Sequence, residues 1–234
     1  MTFKPIKPKL AATVILLRNE PPNTEIFMIK RDKNLKFLGG FHAFPGGKLE
    51  ADDTNLRDTK NFDKDLTEEA RQFFQIENKT FNSMQIQSLY MTAIRELFEE
   101  VGILLASNNG NKIIDLYSND TFEYYLELRK KLLKDKLKFS QILKENELSP
   151  LYHSLKPFKH FITPELSPIR YDTYFFILDM PDSQKILPIS KEIADSIWIT
   201  PKEAIRKYFN SEILLIPPQL VCLTDLKKLN RRVK

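Results

Sequence analysis

The chain has 234 residues, 42% of them hydrophobic, enough for the core of one domain with insertions or at most two small ones. Lys and Arg number 36 against 31 Asp and Glu, a net charge of +5 spread along the sequence that suits an anionic substrate and does not demand nucleic acid. The single cysteine, Cys222, excludes an internal disulfide, and no stretch approaches the ~20 apolar residues of a transmembrane helix.

Residues 10–18 (LAATVILLR) read as a buried strand. Lys4, Lys7 and Lys9 precede them as in a signal peptide, but Arg18-Asn19-Glu20 follows with no small-residue cleavage site. Pro21-Pro22-Asn23 punctuates before a second strand at 25–31 (EIFMIKR), and the two runs predict a hairpin. Residues 37–47 hold four of the six glycines and Pro45. Such a loop lets backbone approach a ligand, although an ordinary turn has the same composition. Residues 54–87 are polar, with helical spacing over 65–76 that puts Leu66, Ala70, Phe73 and Phe74 on one face and leaves Glu68 and Glu69 on the surface.

Residues 93–103 (AIRELFEEVGI) carry the chemistry. Ile94, Leu97, Phe98 and Val101 recur at i, i+3, i+4, i+7 and predict one apolar stripe toward a core. Glu96, Glu99 and Glu100 then share the opposite face, where like charges at i+3 and i+4 repel. Two readings fit: a solvated glutamate face, or a site for a hard divalent cation, which takes oxygen ligands and shares its remaining positions with water and phosphate.

Residues 104–106 fit a short strand and 107–112 a turn. Helices are expected over 121–134, with Asp120 as N-cap, and over 139–147, as packing or lid elements or as a shaper of substrate choice. Residues 155–164 and 170–179 are the next strands, the second rich in aromatic residues. Arg170 and Asp172, two apart on one strand face, form either a surface ion pair or a substrate contact. His160 is either a packed histidine or a base. Residues 217–229 read as a final helix opened by Pro217-Pro218. Arg231-Arg232-Val233-Lys234 carries no peroxisomal or retention tripeptide, so the cytoplasm is the expected location.

Arg95, Glu96, Leu97, Glu99, Glu100, Gly102 and Ile103 match the second half of G-x5-E-x7-R-E-U-x-E-E-x-G-U, U being a bulky aliphatic. The stretch resembles the Nudix box of hydrolases that cleave nucleoside diphosphates linked to another moiety. Gly47 would begin the first half; Asp53 then stands where the family has Glu, and residues 54–94 occupy the place of x7, so the box is split. Arg31, Gly40, Phe44, Pro45, Gly46 and Gly47 fit the loop L-L-T-x-R-[SA]-x3-R-x3-G-x3-F-P-G-G of coenzyme A diphosphatases, with Lys36 for the second Arg and Asp32 for the small residue. Lys36 keeps the charge and loses the bidentate fork. Residues 160–164 (HFITP) and 169–176 (IRYDTYFF) resemble the W-I-T-P and R-[FY]-D-T-x-F-F segments of the peroxisomal-type branch, whose box is also interrupted. Residues 197–205 (IWITPKEAI) resemble the strand-to-helix element that ends many Nudix domains.

The resemblance implies an α/β (α+β) Nudix fold, a mixed sheet between helices, in one domain over 1–234 with insertions at about 54–87 and 118–150. It implies Mg2+ or Mn2+ held by Glu96, Glu99, Glu100 and a carbonyl near Gly46, with Arg95 holding Glu99 in place. Asp182, Glu192 or Asp195 would add a late acidic group. Arg31, Lys36, Phe44 and Arg170 become candidate substrate contacts. The implied substrate is a small nucleotide diphosphate, first coenzyme A or acyl-CoA. ADP-ribose, dinucleotides, nucleotide sugars, capped RNA and a non-catalytic nucleotide-binding module stay open, as does a homodimer; no membrane partner is expected.

Overall fold

The computed structural model describes residues 6–55, 59–77, 80–108 and 112–229. In chain order its strands are β1 (Lys9–Arg18), β2 (Glu25–Arg31), β3 (His42–Ala43), β4 (Gly46–Lys48), β5 (Ala106–Ser107), β6 (Ser149–Pro150), β7 (Lys156–Ile162), β8 (Tyr171–Asp179) and β9 (Ile193–Ile199). Its helices are α1 (Thr59–Asp65), α2 (Glu68–Glu77), α3 (Ser83–Val101), α4 (Asn119–Leu132), α5 (Phe139–Glu145), α6 (Pro201–Phe209) and α7 (Pro217–Leu229), with a 3-10 turn at Ala51–Thr54 and another at Tyr152–Ser154.

The period of two along β1 divides its side chains between two cores. Ala12, Val14 and Leu16 join Phe27, Ile29, Tyr174 and Phe176 beneath α3. Ile15, Ile26, Met28 and Phe175 join Ala204, Cys222, Leu223 and Leu226 beneath α6 and α7. Helices thus cover both faces, which is why the strand reads as apolar throughout. The hairpin of β1 and β2 forms only at its turn end, through Leu17↔Ile26 and Arg18↔Glu25. Farther back β1 instead pairs with β4, Ala12 opposite Gly47 and Thr13 opposite Gly46. Its other edge runs parallel to β8, from Lys9↔Tyr171 to Leu17↔Asp179. β7 extends the sheet antiparallel to β8, and β9 pairs with β2. The result is a mixed sheet between helices.

α3 is longer than its amphipathic stretch suggests. Asn82 caps it by accepting from the Gln85 amide, and Gly102 ends it at φ 82°, a left-handed conformation that favours glycine. The helix expected at 65–76 is α2, which begins only at Glu68, and a separate helix, α1, ends at Asp65. Thr67 Oγ1 accepts from the Ala70 amide at 3.2 Å and starts α2, whose Phe74 stacks on Tyr174 at 5.4 Å between centroids. α4 begins at Asn119 after Ser118, one residue before the expected cap. The strand expected at 104–106 begins only at Ala106. Residues 109–111 of the expected turn, Lys4 and residues 231–234 lie outside the described residues. Among the described residues no helix is long and apolar enough to cross a membrane.

Candidate functional site

The apolar stripe of α3 packs as its spacing predicts, with Ile94, Leu97, Phe98 and Val101 buried. The opposite face is not solvated. Pairing of β4 with β1 lays Gly46-Gly47 against it, and Glu96 and Glu100 are left only 9% and 8% exposed. A Cβ on Gly47 would lie 2.2 Å from Glu96 Oε1, so only glycine lets this carboxylate sit where it does. Gly46 is constrained differently: at φ 155° its Cβ would fall 2.4 Å from the Ala12 carbonyl oxygen. The Gly46 amide donates to Glu100 Oε2 at 2.9 Å, so this glycine is tied to the acidic face through its N–H.

Arg95, 3% exposed, organises the rest. Nε and Nη2 grip Asp53 as a fork at 2.8 and 3.0 Å, and Nη2 also donates to the Lys48 carbonyl at 2.9 Å. Nη1 donates to Glu96 Oε1 and Glu99 Oε2, both at 2.9 Å. Every N–H of a guanidinium finds an acceptor in such a set, so Arg95 orients carboxylates and has no donor left for a ligand. Asp53, buried itself, also accepts from Thr92 Oγ1 and the Glu50 amide, each at 2.9 Å.

Asp53, Glu96 and Glu99 share one guanidinium while Glu100 lies beside Glu96. Burial pushes the Glu96 carboxyl up to about 7, with Arg95 opposing and Glu99 adding to the shift. Burial and the Glu96 charge hold Glu100 well above the usual carboxylate range, against the Gly46 amide and Arg31. Burial raises Glu99 as well. Among the described residues no three His, Cys, Asp or Glu side chains converge into a closed cation cage, and one oxygen each of Glu96 and Glu99 is turned to Arg95.

Arg31 stands on the α3 side of β2, in step with Phe27 and Ile29. Its Nη2 lies 3.5 Å from Glu192 Oε2, and its buried Nε has no hydrogen-bond partner among the described residues. Of the three late acidic candidates, Glu192 is the one whose charge reaches Glu100. Asp195 stands opposite Lys30, on the other face of the sheet. Lys36 is exposed in the glycine loop, where the neighbouring Phe37 ring meets Tyr171 at 5.7 Å.

Two candidate substrate contacts lie elsewhere. Phe44 is 3% exposed within the core beneath α6 and α7, on the far side of the sheet from the carboxylates. Arg170 donates from Nε to the Thr163 carbonyl at 3.0 Å and from Nη1 to the Ile6 carbonyl at 2.7 Å, tying down the start of β8. His160 is likewise occupied, between Asp172 at 2.5 Å and Glu77 at 3.1 Å and stacked on Tyr174. Arg129 bonds to the end of α3 from α4, and nothing in its local sequence spacing marks it.

A crystal structure of a Nudix hydrolase from Alicyclobacillus acidocaldarius superposes with a TM-score of 0.74 at 21% identity, covering 95% of this chain and 92% of that one, which establishes the fold. The acyl-coenzyme A diphosphatase NUDT19 of Xenopus laevis is 28% identical over 89% of this chain and 61% of its own length. The human protein of that name is 25% identical over 86% of this chain and 60% of its own. The chain therefore spans about three-fifths of the length of the relatives it matches. Residues 9–226 match the NUDT19 Nudix domain model, so the chain belongs to the Nudix superfamily, in the NUDT19 family.

Proposed function

We propose that this chain is a metal-dependent diphosphatase, one Nudix domain with insertions at about 54–87 and 118–150, that hydrolyses coenzyme A or acyl-CoA to 3′,5′-ADP and (acyl-)4′-phosphopantetheine. The observation that carries the reading is the acidic face of α3, in which Gly47 lies against buried Glu96, the Gly46 amide holds buried Glu100, and Arg95 orients Glu96 and Glu99. The donor set fits Mg2+ or Mn2+: carboxylates raised by burial and mutual repulsion stand where a Cβ would fill the space, and such ions use few carboxylates and several waters. Glu96, Glu99, Glu100 and the backbone at Gly46 would hold the ion. Bound there, it would offset diphosphate charge and lower the pKa of a water.

The chain's own groups do the positioning. Arg95 fixes Glu96 and Glu99, and the Gly46 amide fixes Glu100. Arg31 brings positive charge beside Glu100 that suits a substrate phosphate, and Lys36 adds positive charge at the loop. In the reaction the oxygen of water joins one phosphorus, the bridging P–O bond breaks, and its electron pair leaves on the other phosphate. The names of the Xenopus laevis and human relatives support the coenzyme A assignment.

The test is product release from CoA, acyl-CoA, ADP-ribose, NADH, diadenosine polyphosphates and capped RNA, with Mg2+, Mn2+ or EDTA. CoA species should lead, EDTA should abolish turnover, and Glu99→Gln and Glu100→Gln should each lower it by about 10²-fold or more with the fold intact. Full activity in both variants would overturn the metal assignment. Nucleotide binding that raises the melting temperature without turnover would replace the enzyme with a binding module.

A further inference from the structure

Arg129 is 1% exposed, and among the described residues it forms no ion pair. Its guanidinium reaches from α4 to the carbonyl end of α3. Nε and Nη2 donate to the Glu99 carbonyl at 3.3 and 3.0 Å, and Nη1 donates to the Leu187 carbonyl at 2.6 Å. The Leu187 amide in turn donates to the Val101 carbonyl at 2.9 Å.

The last turn of a helix leaves carbonyls without intrahelical partners and carries partial negative charge, where a cation is favourable. At the end of α3 the Gly102 amide returns to the Leu97 and Phe98 carbonyls at 3.0 and 3.2 Å. The Glu99 carbonyl is met by Arg129 instead. Gly102 makes room for this: a Cβ there would lie 2.7 Å from Arg129 Nη1.

Glu99 is thus held twice, its carboxylate by Arg95 Nη1 and its backbone by Arg129. The next residue, Glu100, is held by the Gly46 amide. We infer that Arg129 is a positioning residue for the α3 carboxylates, and that the inserted helix α4 serves the reaction by fixing the turn that carries Glu99 and Glu100. The inference rests on the metal-dependent reading above. Among the described residues Arg129 makes no hydrogen bond to the carboxylate oxygens; it acts through the backbone of Glu99 and through its charge near Glu100 and Glu99.

The experiment compares wild type, Arg129→Met, Arg129→Lys and Glu100→Gln by Mn2+ binding calorimetry, by kcat and KM for a CoA substrate, and by thermal melting. Arg129→Met is expected to weaken Mn2+ binding and lower kcat by roughly 10–100-fold, as loss of a ligand-orienting partner does, with KM little changed. Arg129→Lys, which keeps the charge and loses the fork, should recover part of both. A lower melting temperature with wild-type Mn2+ affinity and kcat would make Arg129 merely structural and overturn the proposal. If wild type neither binds Mn2+ nor turns over while Glu100→Gln behaves identically, the diphosphatase reading fails instead. Should neither Arg129 variant fold, hydrogen exchange of wild type decides. Mn2+ is expected to slow the amides of residues 126–132 by about tenfold, and unchanged exchange there overturns the coupling.

Discussion

Replacing Asp53 by Asn changes few atoms and removes the partner on which the buried Arg95 depends most. Oδ2 of Asp53 accepts three donors at once, from the Glu50 amide, Thr92 Oγ1 and Arg95 Nη2, while Oδ1 accepts Arg95 Nε. An Asn amide turned either way puts NH2 against at least one of these donors and removes the charge. Breaking a buried pair from one side costs about 3–5 kcal/mol, since the surviving charge stays desolvated. Glu96 and Glu99 still face Nη1 and keep the loss from going higher. At about 2–4 °C per kcal/mol for a chain of this size, Asp53→Asn should melt roughly 6–20 °C lower. Asp52→Asn is the control. Its carboxylate, partly exposed, bonds Ser140 N and Oγ at the start of α5 and accepts from Asn55 Nδ2 at 3.3 Å, so about 0.5–1.5 kcal/mol is expected. Equilibrium urea unfolding of both variants decides. A loss below about 1 kcal/mol for Asp53→Asn, or equal losses at the two positions, would refute a buried Asp53–Arg95 clamp.

Gly47→Ala should leave the melting temperature within a few degrees yet displace the Glu96 carboxylate, which has nowhere to go but off Arg95. Displacement of about 1 Å costs on the order of 10²-fold in rate, so wild-type kcat in this variant would contradict the glycine wall. His160 gives a pH signature. Burial lowers its pKa, but hydrogen bonds to Asp172 and Glu77 outweigh that and hold it above the usual 6.5. A raised folded-state value means the contribution is full below about 6.5 and disappears as pH climbs through the folded pKa. Wild type should therefore exceed His160→Gln in stability more at pH 5.5 than at pH 8.5, read by urea midpoints. A gap that widens toward alkaline pH would count against the assignment. Because Glu77 ends α2, the same substitution should speed amide exchange in that helix.

The sequence exposes what is local. The stripe of Ile94, Leu97, Phe98 and Val101 is written in its spacing, and the strand runs at 10–18 and 170–179 in their β-branched and aromatic content. The burial of Glu96 and Glu100 is not, because the cover comes from Gly46-Gly47, brought there by β4 pairing with β1. Phe44 shares a motif with those glycines, but the chain turns its side chain to the other face of the sheet, and a motif carries no face. The first turns of α3 bury Gln87, Ser88 and Thr92 along with their apolar neighbours, so no polar face marked where the helix starts. Asp53 meets Arg95 only after α1, α2 and half of α3 have intervened. Arg129 belongs to the same class: a residue whose partner is a distant backbone carbonyl leaves no trace in periodicity.

The parallel pairing of β1 with β8 sets a timetable for synthesis. Residues 19–170 must be polymerised before the middle of the sheet can zip up. At roughly 5–20 residues per second on the ribosome, that interval is about 8–30 s. Throughout it one edge of β1, an apolar and β-prone run, stands open, the kind of edge that recruits strands from other chains. β2 and β4 become available early but cover only the opposite edge. Folding yield should accordingly depend on shielding of β1 until β8 has been made, and closure of this one long loop should limit the folding rate.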